Sequence, residues 1–322
     1  MMNKKEQSER ATKTKRCLIF SMVVALFLCL DCSKPQSSAS ARLKVAATIF
    51  PLYDIIRNVV GDKIEVIEIL PPGASPHTFD LRPQQVLQLR GARIVFRIGH
   101  GLDDWTDAIV EVLPDVKRVV VDKGVRLIEA GAEEHGVSEE EGHGHEAHRH
   151  AGVNPHYWLS ISNGKIVARN VAEEIIRLDP SNESYYRANM KAYESKLDAA
   201  KQEIDGLLRN LPNKKIITFH DAWPYYAEEF GLEIVGSFEP FPGKQPTPRY
   251  LAELQKKIQE NNVKALFSEP QLSSETIVAL ANDMGLKLYV LDPEGGSEGR
   301  ESYIELLKHN AEIIAEALSD GK

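Results

Sequence analysis

Between Met190 and Leu211, apolar residues fall at alternating spacings of three and four: Met190, Tyr193, Leu197, Ala200, Ile204, Leu207 and Leu211. Only an α-helix returns such positions to one face. The run starts after Asp179-Pro180-Ser181, a helix-start signal, and stops before Pro212. Roughly 30 residues at about 1.5 Å each give a helix of about 45 Å. A helix of that length in mid-chain suits a stiff strut between two lobes.

The segments on either side alternate strand and helix. Leu43 to Thr48, Ile64 to Leu70, Ala92 to Ile98 and Arg118 to Val121 read as strands, separated by helical stretches such as Phe50 to Val60 and Arg82 to Leu89. A further helix starts near Asp104. Alternation of this kind implies parallel sheets covered on both faces. The second half echoes the first. Lys44 and Lys215, and Phe96 and Phe267, share one offset of 171 residues, and helices in the two halves stop at Gly61 and Gly231. The expected fold is α/β: two Rossmann-like lobes with parallel sheets, joined by one long rigid α-helix. The expected boundaries are 1–42 for a targeting segment, 43–180 for the first lobe, 181–211 for the linker helix and 212–322 for the second lobe.

The first 42 residues carry an export signal rather than part of the fold. Lys4, Lys5, Arg10, Lys13, Lys15 and Arg16 precede an uncharged, largely apolar run from Cys17 to Leu30, which is too short to span a bilayer. All three cysteines, Cys17, Cys29 and Cys32, lie here. Cys32 precedes a polar tether and looks like a bacterial lipoprotein cysteine, although Asp31 departs from the small residue expected before it. Ala39-Ser40-Ala41 offers a soluble-secretion cleavage site instead. The lipid anchor is the preferred reading. In either case the folded part holds no thiol, so any metal there needs His and carboxylate ligands. A formal net charge of −8 gives no reason to expect nucleic acid and suits a soluble protein that attracts cations. A monomer is expected.

Ten histidines are the informative set. Five of them, His135, His143, His145, His148 and His150, lie in a Glu-, Gly- and His-rich stretch at 131–152 with no apolar periodicity, expected to be a mobile loop. Three others stand in loops where α/β sheets place ligands: His77 after the second strand, His156 before a helix, and His220 after the strand that opens the second half. Asp292 follows the strand Lys287 to Leu291. Three imidazoles and one carboxylate would close a tetrahedral shell suited to Zn(II). Each also has a plain reading. A His beside Pro often only caps a loop, and Asp-Pro is a common turn. His100, between Gly99 and Gly101, reads as a hydrogen-bonded loop residue, and His309 as a surface residue of the last helix.

The segments Pro-His-Thr-Phe (76–79), Asn-Pro-His-Tyr-Trp-Leu (154–159), Thr-Phe-His-Asp-Ala-Trp (218–223), Leu-Phe-Ser-Glu-Pro-Gln (266–271) and Leu-Asp-Pro (291–293) resemble the zinc/manganese solute-binding proteins of ABC transporters. The likeness runs from about Leu43 to the end of the chain, in the family's order. It implies two lobes joined by one long helix, with metal in the cleft between them. It further implies His77, His156, His220 and Asp292 as ligands, and Glu269 as a carboxylate behind them. Manganese-type members have a carboxylate where this chain has His220, so the extra imidazole favours Zn(II), with Mn(II) as the alternative. The likeness also implies a membrane permease as partner, and a His-rich loop that collects or senses zinc and is dispensable for tight binding. A zinc hydrolase is the rival from another class. Three His ligands with an open position would suit water activation, but the chain has no His-Glu-x-x-His helix and no evident general base. An adhesin role, which some members have, is a further alternative.

Overall fold

The computed structural model describes residues 42–130, 152–239 and 243–319. The export segment with Cys32, and the five loop histidines His135, His143, His145, His148 and His150, lie outside them. Leu43–Lys322 forms one compact unit.

Its first half contains β1 (Lys44–Ala47), α1 (Phe50–Val60), β2 (Glu65–Glu68), α2 (Pro83–Gln88), β3 (Ala92–Arg97), α3 (Asp107–Val112) and β4 (Lys117–Val120). These strands form a parallel sheet in the order β2-β1-β3-β4. Next come α4 (Ile161–Leu178) and α5 (Glu183–Leu208). The second half holds β5 (Lys215–Thr218), α6 (Pro224–Phe230), β6 (Glu233–Ser237), α7 (Pro248–Glu260), β7 (Ala265–Ser268), α8 (Glu275–Met284), β8 (Lys287–Val290) and α9 (Tyr303–Leu318). Its sheet is again parallel, in the order β6-β5-β7-β8. The two sheets share one strand order, and the offset of 171 residues superposes β1 on β5 and Phe96 of β3 on Phe267 of β7. The weak sequence echo is therefore a structural repeat.

Local chemistry explains several boundaries. Pro51 occupies the first turn of α1, where its missing N–H costs nothing, and Gly61 ends that helix at φ 57°. Ser160 caps α4 by accepting from the Asn163 N–H, and Ser302 caps α9 by accepting from Glu305.

The long helix α5 spans 26 residues, about 39 Å at 1.5 Å per residue. It is packed rather than free-standing, lying against α1, α4 and α9. Its buried face is Tyr186, Tyr193, Leu197, Ala200, Ile204 and Leu208. The expected stripe slips by one residue at its end, because Leu207 is 42% exposed while Leu208 is buried. One continuous apolar core runs through this helix, from Val45 in β1 to Ile314 in α9. Each fully buried Leu, Ile or Val in it contributes about 1.5–3 kcal/mol.

The C-terminal helix α9 crosses back to the first half. Tyr303 donates its hydroxyl to the carbonyls of Trp158 and Ser160, and its N–H to Asp54 Oδ2 at 3.0 Å. A Cβ on Gly164 would stand 2.5 Å from that hydroxyl oxygen, so only glycine allows this helix crossing. Trp158 Nε1 donates to the Pro293 carbonyl at 2.9 Å, and Tyr225 Oη to that of Asn154 at 2.8 Å. The halves are thus stitched together around α5, and the loops at the carboxyl ends of both sheets meet in one cleft.

Candidate metal centre

Every strand that borders the cleft delivers a polar residue just beyond its carboxyl end. His77 follows β2 through a Pro/Gly loop. His220 stands two residues past β5, Glu269 one past β7, and Asp292 two past β8. His156 opens the short 3₁₀ turn Tyr157–Leu159 ahead of α4. Ser75, His77, His156, His220, Glu269, Gln271 and Glu294 all line the cleft.

Three of the expected ligands converge. His156 Nε2 lies 3.0 Å from His77 Nε2 and 3.2 Å from His220 Nε2. These three residues form a group whose ligand atoms all lie within 4.8 Å of one another. Their rings are splayed, with interplanar angles of 48°, 85° and 68°. Zn–N bonds of about 2.0–2.1 Å set at tetrahedral angles would place nitrogens about 3.3 Å apart, close to the spacing seen.

The protons on two of these rings follow from their neighbours. Asn154 donates its amide to Asp221, to the main-chain oxygen at 2.6 Å and the carboxylate at 3.2 Å. Its Oδ1 must then accept, from the His156 N–H at 3.0 Å and from Nδ1–H at 2.9 Å. The His156 Nε2 lone pair is therefore turned into the cleft. His220 Nδ1 lies 2.5 Å from Glu269 Oε2, as a close charge contact rather than a well-aligned hydrogen bond. Glu269 Oε1 accepts from Trp223 Nε1 at 3.2 Å. This is the carboxylate–histidine arrangement that fixes an imidazole for a metal and raises its basicity.

The electrostatics follow. Burial holds His156 well below the usual histidine range, helped by His220 and His77. Burial also works against charge on His220, but Glu269 foremost, with Asp221 and Glu239, holds it above that range. His220 is thus the ring that keeps a proton, which it can share with His156, and the one that must release it before an ion binds. Glu294 is fully buried, and desolvation with its carboxylate neighbours Asp292, Glu269 and Glu68 pushes it well above the usual carboxyl range. Its surroundings thus favour the neutral form of this carboxyl.

Asp292 lies outside the converging group. It is 2% exposed, and its oxygens already have partners. Oδ1 accepts from Gln271 Nε2 at 2.7 Å and from the N–H groups of Glu294 and Gly295 at 3.0 and 3.1 Å. Oδ2 pairs with Arg300 Nε at 3.1 Å. His100 pairs with Asp122 at 2.8 Å as a loop residue. His309 is not a surface residue: it is half-buried and accepts from Arg300 Nη1 at 3.2 Å.

Residues 45–317 match the family model described as ZnuA, zinc-uptake complex component A, periplasmic. The chain belongs to this family. Its members are the metal-binding subunits of ABC transporters. The manganese ABC transporter substrate-binding lipoprotein PsaA of Streptococcus anginosus is 29% identical over 94% of this chain and 97% of that protein. The high-affinity zinc uptake system protein ZnuA of Bacillus subtilis is 29% identical over 93% and 97%. A crystal structure of ZnuA superposes with a TM-score of 0.74 at 28% identity, covering 86% of this chain and 99% of that one. The two-lobed α/β fold with its long helix is thus that of the ZnuA family.

Sequence reasoning missed three residues of this ZnuA-type site. Asn154 had a local signal: an Asn two residues before His156 can form an Asx turn, which it does. Gln271 and Arg300 had none. Gln271 reaches Asp292 from the loop after β7, 21 residues away, and Arg300 turns back on it from farther along the same loop between β8 and α9.

Proposed function

We propose that this chain captures one Zn(II) between His77, His156 and His220 and delivers it to a membrane permease. The observation that carries the reading is the convergence of three imidazole nitrogens, two of them aimed by Asn154 and Glu269. A donor set of neutral nitrogens suits zinc, which also lies above manganese in the general order of affinities for such ligands. Asp292 supplies negative charge beside the ion, and enters the coordination shell only when Arg300 yields Oδ2. The cluster 135–150 is an accessory collector, and Cys32 the preferred membrane anchor, with the chain acting as a monomer outside the cytoplasm.

Manganese is the second reading, favoured by the likeness to PsaA of Streptococcus anginosus, a manganese ABC transporter substrate-binding lipoprotein. Growth separates the two. A strain lacking this protein should fail in chelated medium and recover with excess zinc. Recovery with manganese alone would assign the protein to manganese uptake.

The loaded form differs from the free form by a small shift of the lobes. The bonds from Tyr303, Trp158 and Tyr225 across the halves oppose a wide hinge motion. A large opening in solution scattering on metal removal would contradict this.

A further inference from the structure

We propose that Arg300 sets the metal selectivity of the cleft by keeping Asp292 out of the coordination shell. The proposal rests on the three-imidazole site described above.

Asp292 is held from every side. Asn310, fully buried in α9, accepts from the Asp292 N–H at 2.9 Å and donates to its carbonyl at 2.7 Å. The main chain therefore cannot swing the side chain toward the histidines. A carboxylate offers about four lone-pair positions. Here Gln271, Glu294 and Gly295 take Oδ1, and Arg300 takes Oδ2. Three of these donors belong to the loop or to a neutral amide, and only Arg300 brings a full positive charge.

Arg300 is itself fixed. Its Nε and Nη2 lie 3.1 and 2.7 Å from Ser297 Oγ, and its Nη1 lies 3.2 Å from His309 Nε2. Its carbonyl accepts from Gly296 N at 2.9 Å. Gly295 and Gly296 have φ of 76° and 77°, and a Cβ on either would press on the Phe50 ring at 3.1 Å. This loop cannot easily move away from Asp292. His309 accepts as a neutral ring, because burial and the adjacent guanidinium both oppose its protonation.

The consequence is a choice between metals. With Oδ2 held by Arg300, an ion among the histidines meets three imidazole nitrogens, and drawing in the Asp292 oxygen costs part of that ion pair. Zinc tolerates a nitrogen-rich shell, whereas manganese depends on carboxylate and water oxygens. Holding Asp292 in an ion pair therefore penalises manganese more than zinc. Arg300 meets Asp292 through Nε alone, while its other nitrogens hold Ser297 and His309 and so keep that contact in place.

The test is chelator competition with Zn²⁺ and Mn²⁺, measured separately on the full chain as wild type, Arg300→Gln, Arg300→Lys and the double variant Arg300→Gln/Asp292→Asn. Arg300→Gln should tighten Mn²⁺ by about tenfold relative to Zn²⁺, the lower end of effects for residues that support a metal's ligands. Arg300→Lys, which keeps the charge, should change the ratio less. The double variant should lose the gain, because the oxygen that provides it is gone. An unchanged Mn²⁺/Zn²⁺ ratio in Arg300→Gln, with one zinc still bound, would overturn the proposal and leave the three-imidazole site standing. A gain that persists without the Asp292 carboxylate would also overturn it. Wild-type protein that binds no zinc would instead bring down the site itself, and the selectivity proposal with it.

Discussion

Asn154 Oδ1 lies 2.9 Å from Nδ1 of His156, while the same side chain's amide reaches Asp221, the neighbour of His220. One residue thus fixes the tautomer of a ligand from the first half and ties it to the strand end that presents a ligand from the second. Asn154→Ala should weaken zinc binding about 10- to 100-fold, the usual range for a residue that orients a metal-bound imidazole. Asn154→Asp keeps the acceptor and should retain more affinity than alanine does. Chelator competition on both variants checks the order; equal losses would remove Asn154 from the positioning role.

Zinc affinity should fall as pH drops, with the fall beginning above the ordinary histidine value of about 6.5. The sign follows from His220. Glu269 favours the protonated ring, so the proton competes with the metal to a higher pH than on a free imidazole. His156, held low by burial, is already neutral there and sets no threshold. Glu269→Gln should move the fall to lower pH and weaken binding at pH 8. A titration of affinity from pH 5 to 8 in both forms tests this. A midpoint that stays put in Glu269→Gln would contradict it.

Glu68 gives a stability prediction independent of metal. Burial raises its carboxyl from 4.5 to about 7. Its Oε1 has no hydrogen-bond partner among the described residues. Because the folded value is raised, the protein carries no penalty from Glu68 below pH 4.5. It loses stability as pH climbs from there through 7. Glu68→Gln should therefore be more stable than wild type at pH 8 by about 1–2 kcal/mol, after discounting for partial solvent screening, and no more stable at pH 4.5. Thermal melts of the metal-free forms at both pH values check the sign. A difference independent of pH would mean that ionisation is not its cause.

The core of α5 can be tested directly. Leu197 is fully buried where α5 joins the two halves. Leu197→Ala should cost about 2–5 kcal/mol and lower the midpoint of denaturant unfolding, whereas Leu207→Ala, on the exposed side, should shift it little. A comparable loss at both positions would contradict the observed slip of the stripe.

Much of this was legible in the sequence, for stated physical reasons. A 3.6-residue period survives in α5 because one face is buried, and the slip to Leu208 went unseen because Leu207 and Leu208 are the same residue type. The repeat between β1 and β5 was readable because both strands are buried on two faces and stay apolar. His77, His156 and His220 were legible as loop residues at strand ends. Their convergence was not, since it depends on how two sheets meet. The partners of Asp292 were invisible for a different reason: they come from neighbouring loops of one half, whose irregular backbone carries no pattern. Gln271 and Arg300 sit in loops without periodicity, and nothing in Gly295 to Arg300 signals that its arginine turns back on a carboxylate.

The most direct test of the three-imidazole site is zinc stoichiometry and affinity, by chelator competition, on protein lacking residues 133–151. That deletion removes every histidine of the accessory cluster and leaves His77, His156 and His220 in place. One tightly bound zinc per chain is the predicted result. Loss of tight binding would put the metal site in the deleted segment, and the cleft would no longer be the place of capture.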